Sequence, residues 1–485
     1  MLHAAALVLV LLLVYPTYKF FVWGWKLRAF PGPPSYPVLG TIMTQPFLRS
    51  VYLWRKKYGP YTLIWGLTKP ILVITDPNGA RTVLSETGRS FGKGPEYTES
   101  FALAFGNGLV TSEGEKHRHD RALLAKYFHR SNVTIERIMG MINANTRAAL
   151  RQLVDHRATG KEAVDVSDVF GLLTFRCFCH FAINFDFSSL GLEQEKRWAD
   201  MVSTHSNTIG ELIVFGFSMN KWSMLREVRC FEDKITRPII AERRRLLAED
   251  AEVPDDMLTA MIKDGMGDED LLAQLLTLLG AGHDTSQYFC SYLSMNLGRY
   301  PEVQERVRAE INEVMGDRDE VTEEDINNMR YLRMVMLETL RLYAVIPMLS
   351  RRANKDVKLK DCGRVIPEGA MVLVLLSTMN RCEDIWGADA ATFNPDRFAP
   401  APGVAASPGQ MANALSNDPK KGFLPFGYGS RACVGGNLAQ MEAGGFLVHT
   451  LRRYRILPEP GFSPKIAGGV SLTSRNGVKV RLEAL

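Results

Sequence analysis

A glycine-rich segment that ends in a single cysteine constrains this chain more than any other feature of its sequence. The segment reads Phe-Leu-Pro-Phe-Gly-Tyr-Gly-Ser-Arg-Ala-Cys-Val-Gly over residues 423–435. Gly427 and Gly429 permit a tight turn that brings backbone N–H groups towards the Cys433 sulfur. Residues 437–443 predict the start of a helix, so the sulfur would lie near a helix N-terminus, where a thiolate is favoured. A thiolate held in this way is a ligand for iron.

The segment has two other interpretations when it is taken alone. A lone cysteine after a glycine-rich turn is most often a small buried side chain. Closely spaced glycines also occur in dinucleotide-binding loops, but those open a βαβ unit with an acidic residue downstream, and no such unit surrounds residues 423–435. The interpretation of Cys433 as an iron ligand therefore needs further evidence from elsewhere in the chain.

A second segment interrupts a strongly apolar predicted helix. Residues 271–279 are apolar on nearly every face, as in a helix buried through a large core, and the acidic residues 268–270 suit its first turn. The chain then reads Gly-Ala-Gly-His-Asp-Thr over residues 280–285. Each glycine in a helix costs about 1 kcal/mol relative to alanine. The pattern indicates either a simple helix bend with a bend-forming threonine or a place that requires small side chains.

Both segments match motifs of one protein family. The matching residues are Phe426, Gly429, Arg431, Cys433 and Gly435 in the first segment, and Ala281, Gly282, Asp284 and Thr285 in the second. At this spacing they resemble the haem-ligand loop and the oxygen-binding kink of the cytochrome P450 superfamily. The resemblance covers the chain from the hinge at Pro31 onward. It implies a mainly α fold with small β-sheets (α+β), and a haem b cofactor whose iron takes the Cys433 thiolate as its axial ligand.

The resemblance also implies a role for each matching residue. Thr285 and Asp284 would be catalytic, with Asp284 feeding protons inward. One position departs from the family: a tryptophan is usual four residues before the arginine that matches Arg121, and His117 stands there. An imidazole N–H can donate the same hydrogen bond to a haem propionate; the alternative is a solvated basic helix face. The implied cofactor-binding residues are Cys433, Arg431, Phe426, Gly429, Arg121, His117, Arg351, Ala281 and Gly282.

Glu338 and Arg341 are three residues apart on one predicted helix, close enough to pair. Pairs of this kind are generally solvated surface salt bridges. The resemblance implies a different arrangement, in which both residues join Arg397 in a buried ionic lock behind the haem loop. The role of that lock would be structural.

The first residues of the chain predict a membrane anchor. Residues 2–14 are almost wholly apolar, and aromatic residues continue the run to Trp25 with Lys19 as its only charge. That length reaches the roughly 20 residues that span a bilayer if Lys19 extends towards the headgroups, and the following Lys26 and Arg28 favour a cytoplasmic flank. A cleaved secretory signal is the alternative. We expect residues 1–30 to form the anchor and the start of a proline-rich hinge, and residues 31–485 to form the haem-thiolate catalytic domain.

Composition supports one large domain. The 485 residues contain 46% hydrophobic and 23% charged residues, which is ordinary for a globular protein with a large core. A net charge of +5 gives no case for nucleic acid as a partner. The seven cysteines have no disulfide-like spacing, which indicates a reducing compartment. Cys177 and Cys179 lie in an apolar helical run and are expected to be core residues rather than metal ligands.

Together with the predicted anchor, the resemblance to the cytochrome P450 superfamily implies a membrane-anchored monooxygenase that inserts one oxygen atom from O2 into a lipophilic small molecule. No flavin or nicotinamide motif is present, so electrons would have to come from outside the chain. The resemblance implies that they come from NADPH through a separate NADPH-cytochrome P450 reductase, with cytochrome b5 as a further donor. The expected location is the endoplasmic reticulum membrane, with the catalytic domain in the cytosol. Two alternatives are a haem-thiolate isomerase or dehydratase of the same fold, and a non-catalytic membrane haem-binding protein.

The sequence also predicts several local features. Residues 92–108 are expected to form a loop over a pocket, residues 134–250 to be helical, and residues 399–418 to form a surface loop. A basic surface that includes Lys116, Arg118, Lys420 and Lys421 is expected to dock the reductase. Val345, Ile346 and Met348 are expected to face substrate. Residues 467–473 and 478–482 are expected to form a hairpin whose tip enters the pocket.

Overall fold

The computed structural model describes residues 2–128, 132–216, 218–399 and 422–485. Helices dominate this part of the chain, which confirms the predicted mainly α fold with small sheets. The predicted surface loop at 399–418 lies outside the described residues except for Ala399, as do Lys420 and Lys421. The helices are α1 (Leu2–Lys26), α2 (Phe47–Tyr58), α3 (Pro77–Ser85), α4 (Pro95–Phe105), α5 (Gly114–Phe128), α6 (Asn132–Leu153), α7 (Val166–Ile183), α8 (Leu192–Phe215), α9 (Lys221–Phe231), α10 (Arg237–Ala248), α11 (Met257–Lys263), α12 (Asp268–Arg299), α13 (Pro301–Met315), α14 (Glu323–Asn328), α15 (Arg330–Leu342), α16 (Leu376–Met379), α17 (Glu383–Trp386) and α18 (Gly436–Leu451).

The strands form small sheets at the edges of the helical body. A five-stranded sheet has the order β3-β4-β10-β7-β5, with β4 and β10 parallel and the other pairs antiparallel, and a three-stranded antiparallel sheet has the order β11-β14-β6. Three two-stranded hairpins pair β1 with β2, β8 with β9, and β12 with β13. The strands are β1 (Ser35–Tyr36), β2 (Gly40–Thr41), β3 (Tyr61–Gly66), β4 (Lys69–Ile74), β5 (Phe91–Gly92), β6 (Thr159–Asp165), β7 (Leu349–Ala353), β8 (Val357–Lys358), β9 (Val365–Ile366), β10 (Met371–Val374), β11 (Tyr454–Pro458), β12 (Ile466–Gly468), β13 (Leu472–Ser474) and β14 (Lys479–Ala484).

Helix α12 is the centre of the core. It runs for 32 residues, begins with three acidic residues as predicted, and packs along α7, with α8, α15 and α18 also against it. Most of its residues are buried, so α12 contacts helices and strands from many parts of the chain. Residues 280–285, in the middle of α12, are therefore held in the core of the molecule.

His283 joins α12 to its two neighbours. The imidazole is fully buried; its Nδ1 accepts from Thr174 Oγ1 at 2.9 Å on α7, and its Nε2–H donates to the Ala199 carbonyl oxygen at 3.1 Å on α8. Burial lowers the pKa of His283 to about 4, so the ring is neutral at physiological pH. A neutral imidazole satisfies one donor and one acceptor, which suits a buried cross-link between three helices.

Two stretches differ from the sequence-based expectation. The predicted loop at 92–108 contains α4, which is capped by Gly94 and Gly106 and turns Phe101 and Ala104 inward. The predicted helical region at 134–250 contains β6, a mostly exposed strand that pairs with β14. Neither stretch has the periodicity that reveals such an element, because flanking glycines obscure the first and the partner of the second lies more than 300 residues away.

The C-terminal strands also pair differently from the prediction. Residues 467–473 form most of the β12–β13 hairpin by themselves, and the tip of this hairpin, residues 469–471, lines the central cavity. The expected tip, between residues 473 and 478, does not line it. Residues 478–482 instead lead into β14, which lies between β11 and β6. The choice depends on long-range pairing, which local alternation cannot show.

Candidate functional site

A cavity of about 350 Å³ lies between α12 and the loop that precedes α18. Its walls are largely apolar and include Val345, Ile346 and Met348, the three residues expected to face substrate. The predicted site residues that line it are Ala281, Gly282, Asp284, Thr285, Arg351, Phe426, Arg431 and Cys433. Gly429, His117 and Arg121 do not line it. The structure thus brings together residues that are up to about 150 positions apart in the sequence.

The cysteine loop has the geometry that its glycines predict. Gly427 and Gly429 have φ angles of 72° and 74°, a region that glycine adopts without strain. A Cβ on Gly429 would lie 2.7 Å from the Leu84 carbonyl oxygen, so a side chain there would also clash. The Cys433 N–H donates to the Phe426 carbonyl oxygen at 2.7 Å, and α18 begins three residues after the cysteine. These contacts direct the sulfur into the cavity.

The environment of Cys433 is suited to a metal-bound sulfur. Burial raises the pKa of its thiol, while the Gly435 N–H and the Arg121 cation act in the opposite direction. The protein alone therefore favours the neutral thiol, and a cation at the sulfur would supply the missing stabilisation of a thiolate. Four of the other cysteines, Cys177, Cys179, Cys290 and Cys382, are buried thiols with raised pKa values.

On the α12 side, the small residues open the cavity without breaking the helix. Ala281 is exposed, into the cavity, although the helix around it is buried. The helix is continuous from Asp268 to Arg299 through the glycines. Thr285 Oγ1 donates to the Ala281 carbonyl oxygen at 2.7 Å. A back-bond of this type bends a helix slightly instead of interrupting it.

The glycines of α12 have a packing role that the sequence did not reveal. A Cβ on Gly282 would lie 2.2 Å from the ring of Phe178 on α7, and one on Gly280 would lie 2.8 Å from the ring of Phe105 on α4. The absence of side chains therefore lets two aromatic rings approach the helix backbone. Contacts of this kind offset the low helix propensity of glycine.

Asp284 has a partner from the far end of the chain. Its Oδ2 accepts a hydrogen bond from Ser471 Oγ, at the tip of the β12–β13 hairpin, and both residues are buried and line the cavity. Nothing in the sequence pointed to Ser471, because a serine in a hairpin turn has no chemical signature of its own. Only the fold brings it to α12.

Basic side chains gather near one side of the cavity, and two of them, Arg351 and Arg431, line it. Burial lowers the pKa of Arg431 to about 10 against the attraction of Glu113, and the nearby Arg351 and Arg121 act in the same direction as burial. Arg351 is buried and its Nε donates to Thr87 Oγ1 at 3.0 Å. We call this group the cationic edge; its members are Lys93, His117, Arg121, Arg351 and Arg431.

His117 and Lys93 complete the cationic edge from two other elements. His117 is buried on α5, which argues against a solvated basic face there, and burial together with Arg431 and Lys93 lowers its pKa to about 3. Lys93 is a further buried basic side chain; burial, Arg351 and Arg431 hold its pKa well below the usual range. The sequence does not single out Lys93, since it lies in a glycine-rich stretch that resembles a common turn.

The residues of the cavity fit a haem. Buried cations are costly unless anions pair with them, and Glu113 is the carboxylate that acts on several members of the cationic edge. A ligand with two carboxylates would supply the missing negative charge. The Cys433 sulfur offers an iron ligand in the same cavity, and the apolar walls suit a flat macrocycle.

The predicted ionic lock is buried. Glu338 and Arg341 are both 0% exposed, and two parallel N–H···O bonds of 2.7 Å join them. Arg341 also donates to the carbonyl oxygens of Asn380, Ala390 and Thr392. Arg397 is more distant, with its Nε 3.7 Å from Glu338 Oε1. The lock therefore ties α15 to the segment that precedes the cysteine loop.

In the described residues, no cluster of metal ligands occurs, and the one helix that is long and apolar enough for a membrane span lies in the core. Among the residues that the structure describes, no group of three or more His, Cys, Asp or Glu side chains could hold a metal ion. Over the same residues, one helix is apolar and long enough to cross a membrane, Val166–Ile183, and 89% of it is buried inside the protein. Its place is the core, beside α12.

The chain is similar to known proteins over nearly its whole length. The family model described as "Cytochrome P450" matches residues 30–478. Human cytochrome P450 4F8 is 29% identical, over 97% of this chain and 93% of the relative. Rat cytochrome P450 4A2 is 27% identical over 95% and 92%, and cytochrome P450 734A6 of Oryza sativa subsp. japonica is 28% identical over 85% and 77%.

Proposed function

This chain belongs to the cytochrome P450 family, and we propose that the Cys433 thiolate would hold its haem iron and that residues 281–285 of α12 would line the oxygen-binding side of the same cavity. Members of the family are haem-thiolate monooxygenases, and the chain is one of these enzymes. One observation carries the proposal: Cys433 and Thr285, from two elements that are remote in sequence, face the same cavity.

The bound haem would supply the activation of O2, with the thiolate donating electron density that favours O–O cleavage. The protein would supply protons and exclude water. Asp284 would carry protons towards the cavity, and the Thr285 hydroxyl would hold a proton at its Oγ1. Ala281 would leave space for O2 in the cavity, because its side chain is a single methyl group. The apolar walls would keep bulk water away from the reacting atoms.

The cationic edge would hold the two haem carboxylates. Arg351 and Arg431 line the cavity and offer guanidinium donors, which suit carboxylates. Arg121 and His117 lie close enough to Arg431 to interact with it electrostatically; His117 would take the place of the tryptophan that is usual in the family. Phe426, Gly429 and Gly282 would shape the cofactor pocket through the loop and the helix, and the lock of Glu338, Arg341 and Arg397 would stabilise the loop from behind.

As a P450 enzyme, the protein takes a lipophilic substrate and electrons from a redox partner. We infer that the partner is NADPH-cytochrome P450 reductase, with cytochrome b5 as a further donor, and that residues 1–30 anchor the catalytic domain, residues 31–485, to the endoplasmic reticulum membrane with that domain in the cytosol. Support comes from the apolar N-terminal sequence and from the exposed aromatic side chains of Tyr15, Tyr18 and Trp25 on α1. Aromatic residues favour the membrane interface.

The ligand assignment is tested by replacing Cys433 with alanine. Without the thiolate, the reduced protein should lose the red-shifted Soret band of its carbon monoxide complex. Cys362→Ala is the matched control, because Cys362 lies exposed on the surface, and it should retain the band. A Cys433→Ala protein that kept the band would disprove the assignment. Product formation that needs neither NADPH nor O2 would instead favour an isomerase or dehydratase.

A further inference from the structure

The tip of the β12–β13 hairpin reaches the side of the cavity that α12 forms. Gly469, Val470 and Ser471 form this tip, and all three line the cavity. Ser471 is 1% exposed, and its hydroxyl donates to Oδ2 of Asp284, which is 6% exposed. A residue near the C-terminus thus contacts the acid in the middle of α12 directly.

The tip is held firmly in this position. The Leu472 N–H, next to Ser471, donates to the Val345 carbonyl oxygen at 2.7 Å. The Leu472 carbonyl oxygen accepts from the Tyr292 hydroxyl at 2.9 Å, and that tyrosine lies two helical turns beyond Asp284 on α12. On the other side, a Cβ on Gly210 of α8 would lie 3.0 Å from Gly469 Cα, so the two backbones are in close contact. The Ser471 hydroxyl is therefore presented to Asp284 by a rigid frame.

We propose that Ser471 is a positioning residue for Asp284, through which the C-terminal hairpin sets the efficiency of proton delivery in this enzyme. The inference rests on the proposed role of Asp284 as a proton carrier. A carboxylate delivers protons efficiently only when its oxygens are held within hydrogen-bond reach of the group that they serve. The hydroxyl proton of Ser471 engages Oδ2 and restricts the rotation of the carboxylate.

The position of Val470 adds a link to substrate. Val470 lies beside Ser471 in the same tip and presents an apolar side chain to the cavity. A substrate that contacts Val470 would therefore contact the same hairpin tip that orients Asp284 through Ser471. The hairpin tip would thus be the element where substrate contact and proton supply meet.

The experiment compares variants under turnover with reductase, NADPH and 7-ethoxycoumarin, an uncharged lipophilic probe. The readouts are dealkylated product per NADPH, hydrogen peroxide released, and the solvent deuterium isotope effect on NADPH oxidation. Ser471→Ala should lower product per NADPH about five- to tenfold, since the hydrogen bond to the Asp284 side chain is lost. Peroxide release and the isotope effect should rise. Ser471→Thr, which keeps the hydroxyl, should restore most of the loss.

Ser474→Ala is the matched control in the same hairpin. The Ser474 hydroxyl donates to the Gly477 carbonyl oxygen at 2.6 Å, so it bonds within its own turn rather than to Asp284. This variant should behave as wild type. Thermal unfolding and the carbon monoxide complex of each reduced variant verify folding and haem content independently of turnover.

A double-mutant cycle separates this inference from the function on which it rests. If Ser471 acts through Asp284, Ser471→Ala should change product per NADPH less than about twofold in an Asp284→Asn background. Should Asp284→Asn alone be fully coupled, the proposed role of Asp284 fails. Should Asp284→Asn be uncoupled while Ser471→Ala is not, or should Ser474→Ala spill peroxide equally, the inference about Ser471 is overturned and the proposed role of Asp284 stands.

Discussion

The hydroxyl of Thr285 has one proton, and in this structure that proton is engaged by the helix itself. Thr285 Oγ1 donates to the Ala281 carbonyl oxygen at 2.7 Å while the residue lines the cavity. The oxygen keeps its lone pairs as acceptors. The side chain is therefore placed to accept a hydrogen bond in the cavity, and its own proton becomes available there only when the hydroxyl rotates away from the Ala281 carbonyl oxygen.

Replacing Thr285 with alanine should uncouple the enzyme without unfolding it. Alanine is the better helix former, and the variant loses no charge. We expect normal haem content, normal substrate affinity, and a fall in product per NADPH of about tenfold or more, as is typical when a proton-transferring group is removed. The missing reducing equivalents should appear as hydrogen peroxide.

Ser291→Ala provides the control on the same helix. Ser291 is buried on α12 and makes the same kind of back-bond, to the Gln287 carbonyl oxygen at 2.7 Å, but it does not line the cavity. Its loss should leave coupling intact. A Thr285→Ala protein as coupled as the Ser291→Ala protein would mean that protons reach the cavity through another group.

At the scale of elements, the buried lock connects α15 to the segment that leads to the cysteine loop. Its two arginines differ in burial and in their contacts. Arg341 is completely buried and saturated by Glu338 and three carbonyl oxygens. Arg397 is 11% exposed, and its closest carboxylate contact is Asp389 Oδ2 at 2.6 Å, on the surface. The arginines should therefore differ in what their removal does.

Arg341→Ala should destabilise the protein strongly. The change leaves the buried Glu338 carboxylate without its main partner, and uncompensated buried charges cost about 3–5 kcal/mol. Little holoprotein should be recovered on expression, and unfolding by urea should show the loss of free energy. Arg397→Ala, with its more distant contact to Glu338, should cost about 1–2 kcal/mol. Equal losses in the two variants would contradict the ranking.

At the scale of the whole molecule, α1 does not stand clear of the body. The centroid of the Phe20 ring lies 4.3 Å from the centroid of the Trp65 ring on β3, and Trp23 packs on Gly369. Leu27, which follows the end of the helix, is completely buried. Upstream of these contacts, Tyr15 and Tyr18 are exposed. The helix thus has a segment that belongs to the catalytic body and, at Tyr15 and Tyr18, a segment whose side chains face outward.

Two truncations should separate membrane attachment from stability. Deletion of residues 2–18 should move the protein from the membrane to the soluble fraction of expressing cells and leave the carbon monoxide band and the melting temperature unchanged. Deletion of residues 2–26 should also remove the Phe20 and Trp23 contacts and lower the free energy of unfolding by about 1–3 kcal/mol. Persistent membrane attachment of the shorter deletion would place the anchor elsewhere.

The local chemistry of this protein could be predicted from its sequence. Gly427, Gly429 and Cys433 are close neighbours in the chain, and their turn follows from the φ angles that glycine permits. The acidic start of α12 and the pairing of Glu338 with Arg341 depend on helix geometry over a few residues. Contacts at short sequence separation leave a pattern that can be recognised without the fold.

Only the tertiary structure decided which distant residues meet. Lys93 joins the cationic edge, Ser471 contacts Asp284, and β6 pairs with β14, although no residue type or spacing indicates any of these contacts. The same applies to Gly282, whose missing side chain admits the ring of Phe178 from another helix. The physical reason is that packing and long-range pairing are selected by shape and burial in the assembled core, whereas the sequence encodes directly only what a short stretch of backbone and its side chains can do alone.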